Sequence, residues 1–207
     1  MPLELWIAFV LASAALLAVP GPTVMLAVSH ALNGGRRTAL GTVPGTMLGD
    51  FTAMTVSLAG AGAVLAASAT LFTVLKLAGA AYLIWLGVKL WRSKPDPAVL
   101  EQSIAPASMR SVFLQSFVVT ALNPKGIVFF VAFVPQFVDP AAPVLMQFVV
   151  LEATFVILAG VNVALWAMAA GTLRSRFRRP ATMRLVNRIG GGFLIGAGLL
   201  TAAVRRA

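Results

Sequence analysis

Three ionisable side chains lie deep inside apolar stretches: Asp50 at the end of "GTMLGD", Lys125 within "LNPKGIVFF" and Glu152 within "FVVLEATF". Two acids and a base in such places suit two kinds of chemistry. They can hold a zwitterion, with an acid meeting its ammonium and the lysine its carboxylate, or they can relay a proton. A single lysine neutralises one carboxylate, so if all three groups converge the other acid is free to carry a proton. The competing readings are structural: Lys125 pairs with one acid as glue between helices, or Glu152 lies nearer an interface than its position suggests.

Each of two related stretches carries helix breakers. In "AVPGPTV", residues 18–24, Pro20 and Pro22 lack backbone donors and crowd the preceding turn, while Gly21 adopts conformations that other residues resist. A break or sharp kink is expected there. Pro124, following Asn123, predicts a second one 14 residues past Arg110, or ~20 Å along a helix. Carbonyls freed at such breaks cannot face lipid, so they must face protein or a wet cavity, where they can hold a cation or an ammonium group. A plain structural kink is the alternative, since kinks are common in membrane helices.

The elements that position these groups follow from composition. Hydrophobic residues make up 59% of the 207, charged residues 11%, and mean hydropathy is +0.93. A soluble core cannot hide that much apolar side chain, so the solvent is lipid. Six apolar segments, roughly residues 3–29, 38–66, 70–91, 111–138, 143–173 and 187–204, each approach the ~20 residues a helix needs to cross a bilayer. Open strands would strand their backbone groups in hydrocarbon, which leaves an all-α membrane bundle. The first segment lacks the basic start of a signal peptide and carries Glu4, so it reads as a retained span. A linker over residues 93–110, with Pro95, Pro97 and Pro106, divides one transporter domain, 1–207, into repeat one, 1–92, and repeat two, 111–207.

Positive charge sets the orientation. Arg36 and Arg37 follow the first segment, Lys89, Arg92, Lys94 and Arg110 surround the linker, and Arg174, Arg176, Arg178, Arg179, Arg184 and Arg188 surround the loop after the fifth. Six spans put all three groups on one side, which is cytoplasmic by the positive-inside rule, with both termini periplasmic. Arg205 and Arg206 at the C-terminus are a mild exception. The net charge of +10 is thus topology, and no extended basic face suits nucleic acid.

Three spans per half make any internal repeat an inverted one. "GAAYLIWLG", residues 79–87, aligns without gaps on "GGGFLIGAG", residues 190–198; with a nearly equal shift Pro22 falls on Pro124 and Asp50 on Glu152. Inverted repeats with interrupted helices at matching places mark secondary transporters, whose substrate site lies between the repeats near the midplane.

Other residues are less directive. Gly41, Gly45 and Gly49 form a ridge that admits a close helix and clears the backbone beside Asp50. Asn123 and Asn162 either bind substrate or bridge helices. Trp6, Tyr82 and Trp91 suit interfacial or packing roles, and Lys76 suits anchoring near a span end. With no cysteine and His30 alone there is no transition-metal cage. No nucleotide loop or catalytic triad is present, so neither cofactor nor catalytic residue is expected, and energy must come from a gradient or another subunit.

"VPGPTVM", "GTMLGD", "KLAGAAYLIWLGVKL" and "LNPKGIVFF", in that order over nearly the whole chain, resemble the lysine exporter (LysE) superfamily, especially its RhtB branch of homoserine and threonine exporters. The resemblance implies a bacterial inner-membrane protein of six helices that exports amino acids or close derivatives by proton antiport, as a homodimer. Carried over by position, Pro20, Gly21, Pro22, Gly49, Asp50, Asn123, Pro124 and Lys125 would line the substrate site. Proton coupling would fall to Asp50 and Glu152, the latter on the repeat correspondence alone. Two other classes stay open: an exporter of another small solute or hard cation, and a membrane-embedded enzyme using Asp50 with Glu152.

Overall fold

The computed structural model describes residues 1–93, 108–139, 142–177 and 180–203, and all its regular structure among them is helical. The chain runs α1 (Leu3–Ala18), α2 (Pro22–Gly34), α3 (Ala39–Ala67), α4 (Ala69–Arg92), α5 (Met109–Ala121), α6 (Pro124–Val128), α7 (Val144–Phe177) and α8 (Pro180–Ala203). α6 continues through a π-helical turn, Phe129–Phe133, and a 3-10 turn, Val134–Phe137. Most of the linker expected over 93–110, with Lys94 and its three prolines, lies outside the described residues, as do Arg178, Arg179, Arg205 and Arg206.

Both breaks form where the prolines place them. α1 and α2 meet at 54°, and α5 meets the Pro124–Phe137 segment at 40°. Pro22 and Pro124 each open the second half-helix, where a missing N–H costs nothing. α2 ends at Gly35, whose φ of 74° lets the chain turn into α3 through Arg36–Thr38.

Among the described residues, three unbroken helices, α3, α4 and α7, are long and apolar enough to cross a bilayer, and each bent pair passes the same test as one span, which allows up to five crossings. The sixth expected segment is embedded in the longer α8, whose first half carries Arg184 and Arg188. The loop expected around Arg174–Arg188 is correspondingly shorter. α7 runs to Phe177 and α8 begins at Pro180, so Arg174, Arg176, Arg184 and Arg188 ride on helices. Charge ends an apolar window, but it does not end a helix once the chain has left the hydrocarbon.

Packing pairs distant segments. α3 lies on α5, α4 on α8, and α1 with α2 on α7, while α3 also meets α7. Small residues allow the first two. Gly41, Gly45 and Gly49 face α5 so closely that a side chain on Gly45 would stand 2.5 Å from the Phe113 carbonyl oxygen. Gly87 and Gly191 meet across the α4–α8 seam in the same manner, at 2.6 Å from each other's carbonyl.

One half of the molecule is filled with rings. Phe9 of α1, Phe129, Phe130, Phe133 and Phe137 beyond the second break, and Phe155 of α7 form a buried cluster with centroids from 4.8 to 6.2 Å apart.

Gly191→Val should separate α4 from α8 and destabilise the protein by about 1–3 kcal/mol. Gly60→Ala, at a glycine with nothing within 4 Å, should not. Thermal unfolding of the detergent-solubilised variants, followed by size-exclusion chromatography, compares them; equal stability would mean that the helices do not depend on this close approach.

Candidate functional site

The two helix breaks face each other and are fastened together. α1 ends on carbonyls that the helix break leaves short of their usual partners, and these ends carry the partial negative charge of a helix C-terminus. The Lys125 ammonium, at the start of α6, donates to the Leu16 carbonyl at 3.2 Å and the Val19 carbonyl at 2.9 Å. Asn162 of α7 donates to the next freed carbonyl, Leu17, at 3.1 Å. Asn123 caps α6 by accepting from the Lys125 backbone N–H at 3.1 Å, and its amide donates to Thr23 Oγ1 at 3.3 Å. Thr23 in turn shares a hydrogen bond with Thr120, at 3.2 Å. Both asparagines therefore bridge helices, and the carbonyls expected to hold an ammonium hold that of Lys125.

Gly21 is required here for space. A Cβ at this position would stand 3.3 Å from Lys125 Nζ and 3.5 Å from its Cε, so any side chain there crowds the ammonium.

Between the breaks lies a narrow cavity of about 30 Å³, room for roughly two waters. Its polar lining comprises Asp50 and Thr46 of α3, Thr23, Asn123, Lys125 and Asn162. Asp50 is 7% exposed, and Lys125 is the charge that acts on it across this space. Thr46, one helical turn before Asp50, buries a hydroxyl oxygen that no protein group pairs among the described residues. Acid, orphan hydroxyl and lysine thus line one small cavity at the junction of two half-helices, with apolar side chains closing the rest of its wall.

A second chamber, of about 270 Å³, adjoins it. Gly21, Asn123 and Lys125 line both, so they form the partition between them. Pro20, Pro22 and Pro124 line the second chamber, together with Tyr82 and Lys89 of α4, Ser93 just past its end and Leu194 of α8.

Of the residues named from sequence, Gly21, Asp50, Asn123 and Lys125 meet at the narrow cavity, and the three prolines meet at its neighbour. Gly49 and Glu152 line neither. Gly49 faces α5, where a side chain would stand 2.8 Å from the Phe117 carbonyl oxygen. Glu152 is half-buried on α7, and the Thr55 hydroxyl of α3 donates to its carboxylate at 2.6 Å. Sequence reasoning missed Thr23 and Thr46. Thr46 had a signal, since it shares a helical face with Asp50 at spacing i, i+4.

His30 lies apart from the site. It is buried among Thr42 and Gln115, at 3.4 and 3.2 Å, where it joins α2 to α3 and α5. Among the described residues no three His, Asp or Glu side chains gather as metal ligands would.

Comparison with known proteins agrees with this architecture. The family profile of LysE type translocators matches residues 14–203. A homoserine/homoserine lactone efflux protein of Salmonella typhimurium (strain LT2) is 32% identical over 208 residues, covering all of both chains. An uncharacterised membrane protein of Vibrio cholerae is 32% identical over 205 residues, 99% of this chain and all of that one. A leucine efflux protein of Enterobacter sp. (strain 638) is 30% identical over 128 residues, 60% of this chain and 59% of that one. No solved structure gives a significant match. The chain is accordingly a membrane transport protein and not an enzyme, and it belongs to the LysE type translocator family.

Proposed function

We propose that this translocator exports amino acids or close derivatives across the bacterial inner membrane, exchanging them for protons at the cavity between Asp50 and Lys125. The observation that carries the reading is that a buried acid and a half-buried lysine line one narrow cavity at the meeting of two broken helices. A site with one group of each sign is complementary to a zwitterion. Relatives named for efflux of homoserine, its lactone and leucine support the same substrate class.

The path would be built from six crossings, α8 being the sixth, as two inverted three-helix repeats. The paired breaks support this, and so does the packing. An axis that exchanges the halves would turn the contact of α1 and α2 with α7 into that of α5 and α6 with α3, and would leave α4 against α8. Arg36, Arg37, Lys89, Arg92 and Arg110 near one end support a cytoplasmic assignment for that end and periplasmic termini.

In this mechanism the substrate's ammonium meets Asp50 and the Thr46 hydroxyl, and its carboxylate meets Lys125. A carboxylate is a stronger acceptor than a neutral carbonyl, so it draws the ammonium of Lys125 from Leu16 and Val19 and unfastens α1 from α6. The halves then rock about the site, and a proton taken up by Asp50 passes inward as the solute leaves. Glu152, held by Thr55 outside the cavity, is given no part in this exchange.

Asp50→Asn and Lys125→Met should each lower uptake of labelled homoserine and leucine into inside-out vesicles by at least a hundredfold, with membrane levels unchanged by immunoblot. Wild-type uptake by either variant would remove that residue from the mechanism. Divalent-ion uptake in the same vesicles tests the hard-cation alternative.

Gly21→Val, whose extended backbone accepts any residue, should push Lys125 from its carbonyls and reduce turnover more than tenfold without loss of insertion. Gly62→Ala, at an open position, serves as control. Unchanged turnover in Gly21→Val would show that the lysine lock takes no part in transport.

A further inference from the structure

The cavity between Asp50 and Lys125 is too small for the solute it is proposed to carry. At about 30 Å³ it has no room for an amino acid, whereas the chamber beyond the Gly21, Asn123 and Lys125 partition has about 270 Å³, near the lower end of the ~300–1,000 Å³ typical of small-molecule sites. We propose that this chamber is a separate loading site, selective for solutes that pair a carboxylate with an aliphatic side chain. The inference rests on the export reading for its direction of use, but its geometry is independent.

Three features of the lining carry it. Among the described residues, the charged ones that line the chamber are Lys89 and Lys125, with no acid beside them. A carboxylate is welcomed there; a free amine or a metal cation is repelled. Most of the remaining wall is hydrocarbon, from Leu86 and Leu90 of α4 and Leu194 of α8, which offers an aliphatic chain about the burial worth of ~0.8 kcal/mol per methylene. Finally, Lys125 belongs to both spaces, so a carboxylate that enters past Lys89 finds its next cation at the partition, with Asp50 beyond it.

The placement also gives a sequence of events. Lys89 is exposed in the last turn of α4, its ammonium 5.0 Å from the Trp85 ring centre. The solute enters at that end with its carboxylate leading. Its side chain rests on the leucines, and its ammonium reaches Asp50 only after Lys125 has moved. Selection by side chain therefore happens in the chamber, and selection for an ammonium happens at the acid.

The chain has no cysteine, so Ser93→Cys at the chamber wall supplies a single reporting thiol. In inside-out vesicles holding the full-length variant, its reaction with N-ethylmaleimide is timed with L-leucine, with 4-methylpentanoate, which lacks the ammonium, and with 3-methylbutylamine, which lacks the carboxylate. Leucine and 4-methylpentanoate should each slow labelling at least threefold and the amine should not. Adding Lys89→Gln, a change to an exposed side chain, should remove most of the protection, and Leu194→Trp should remove it by filling the space. Equal protection by all three compounds, protection by none, or protection by leucine that survives Lys89→Gln would overturn the proposal. Leucine uptake by vesicles holding the unsubstituted protein keeps the two readings apart: protection in the reporter without that uptake supports the chamber and refutes export, while that uptake without protection refutes the chamber alone.

Discussion

A lysine ammonium buried against two backbone carbonyls is the contact on which the site depends. Neither side of it tolerates hydrocarbon. The Leu16 carbonyl has lost its helical partner to Pro20, the Val19 carbonyl lies past the end of α1, and the charge of Lys125 has lost most of its water. Each removes the other's penalty, and in doing so they tie together residues more than a hundred positions apart. Gly21 lies against the same contact, and Asn162 reaches across to the neighbouring carbonyl of Leu17. It also leaves Asp50, on the far wall, to answer to whatever enters between.

Helix breaks are usually described as flaws that neighbours repair, but here the repair is mutual. α1 ends where α6 begins, so a partial negative charge lies beside a lysine, and Asn123 caps α6 while holding Thr23 at the start of α2. Two bends of 54° and 40° become one rigid junction. Six phenyl rings fill part of the interior, and a chamber of about 270 Å³ remains beside the Gly21, Asn123 and Lys125 partition.

Much of this was legible in the sequence, because the informative residues act locally. Pro20, Pro22 and Pro124 bend a helix wherever they occur, and Gly41, Gly45 and Gly49 create a ridge whatever packs on it, so both breaks and the close seam were readable without coordinates. Asp50 and Lys125 could be paired because lone charges in hydrocarbon need partners. What could not be read was direction. Glu152 matches Asp50 in register, yet its face of α7 meets Thr55 and not the cavity. The Lys125 ammonium could have turned to either acid, and its choice of the α1 carbonyls depends on an angle between half-helices that no hydropathy window encodes. Helix ends were misjudged for a related reason, since arginines end an apolar segment while the backbone of α7 continues to Phe177.

The pairing of one acid with one base has a consequence for how voltage acts on the protein. With Asp50 ionised and Lys125 charged, the junction is electrically neutral when empty, and it stays neutral with a zwitterion aboard. Neither form gains or loses energy by swinging through the membrane field. A proton on Asp50 changes that, leaving one net positive charge, worth ~2.3 kcal/mol for every 100 mV crossed in full. In the proposed cycle, the potential therefore drives only the solute-free, protonated return stroke, and the concentration of cargo alone sets the pace of the outward one.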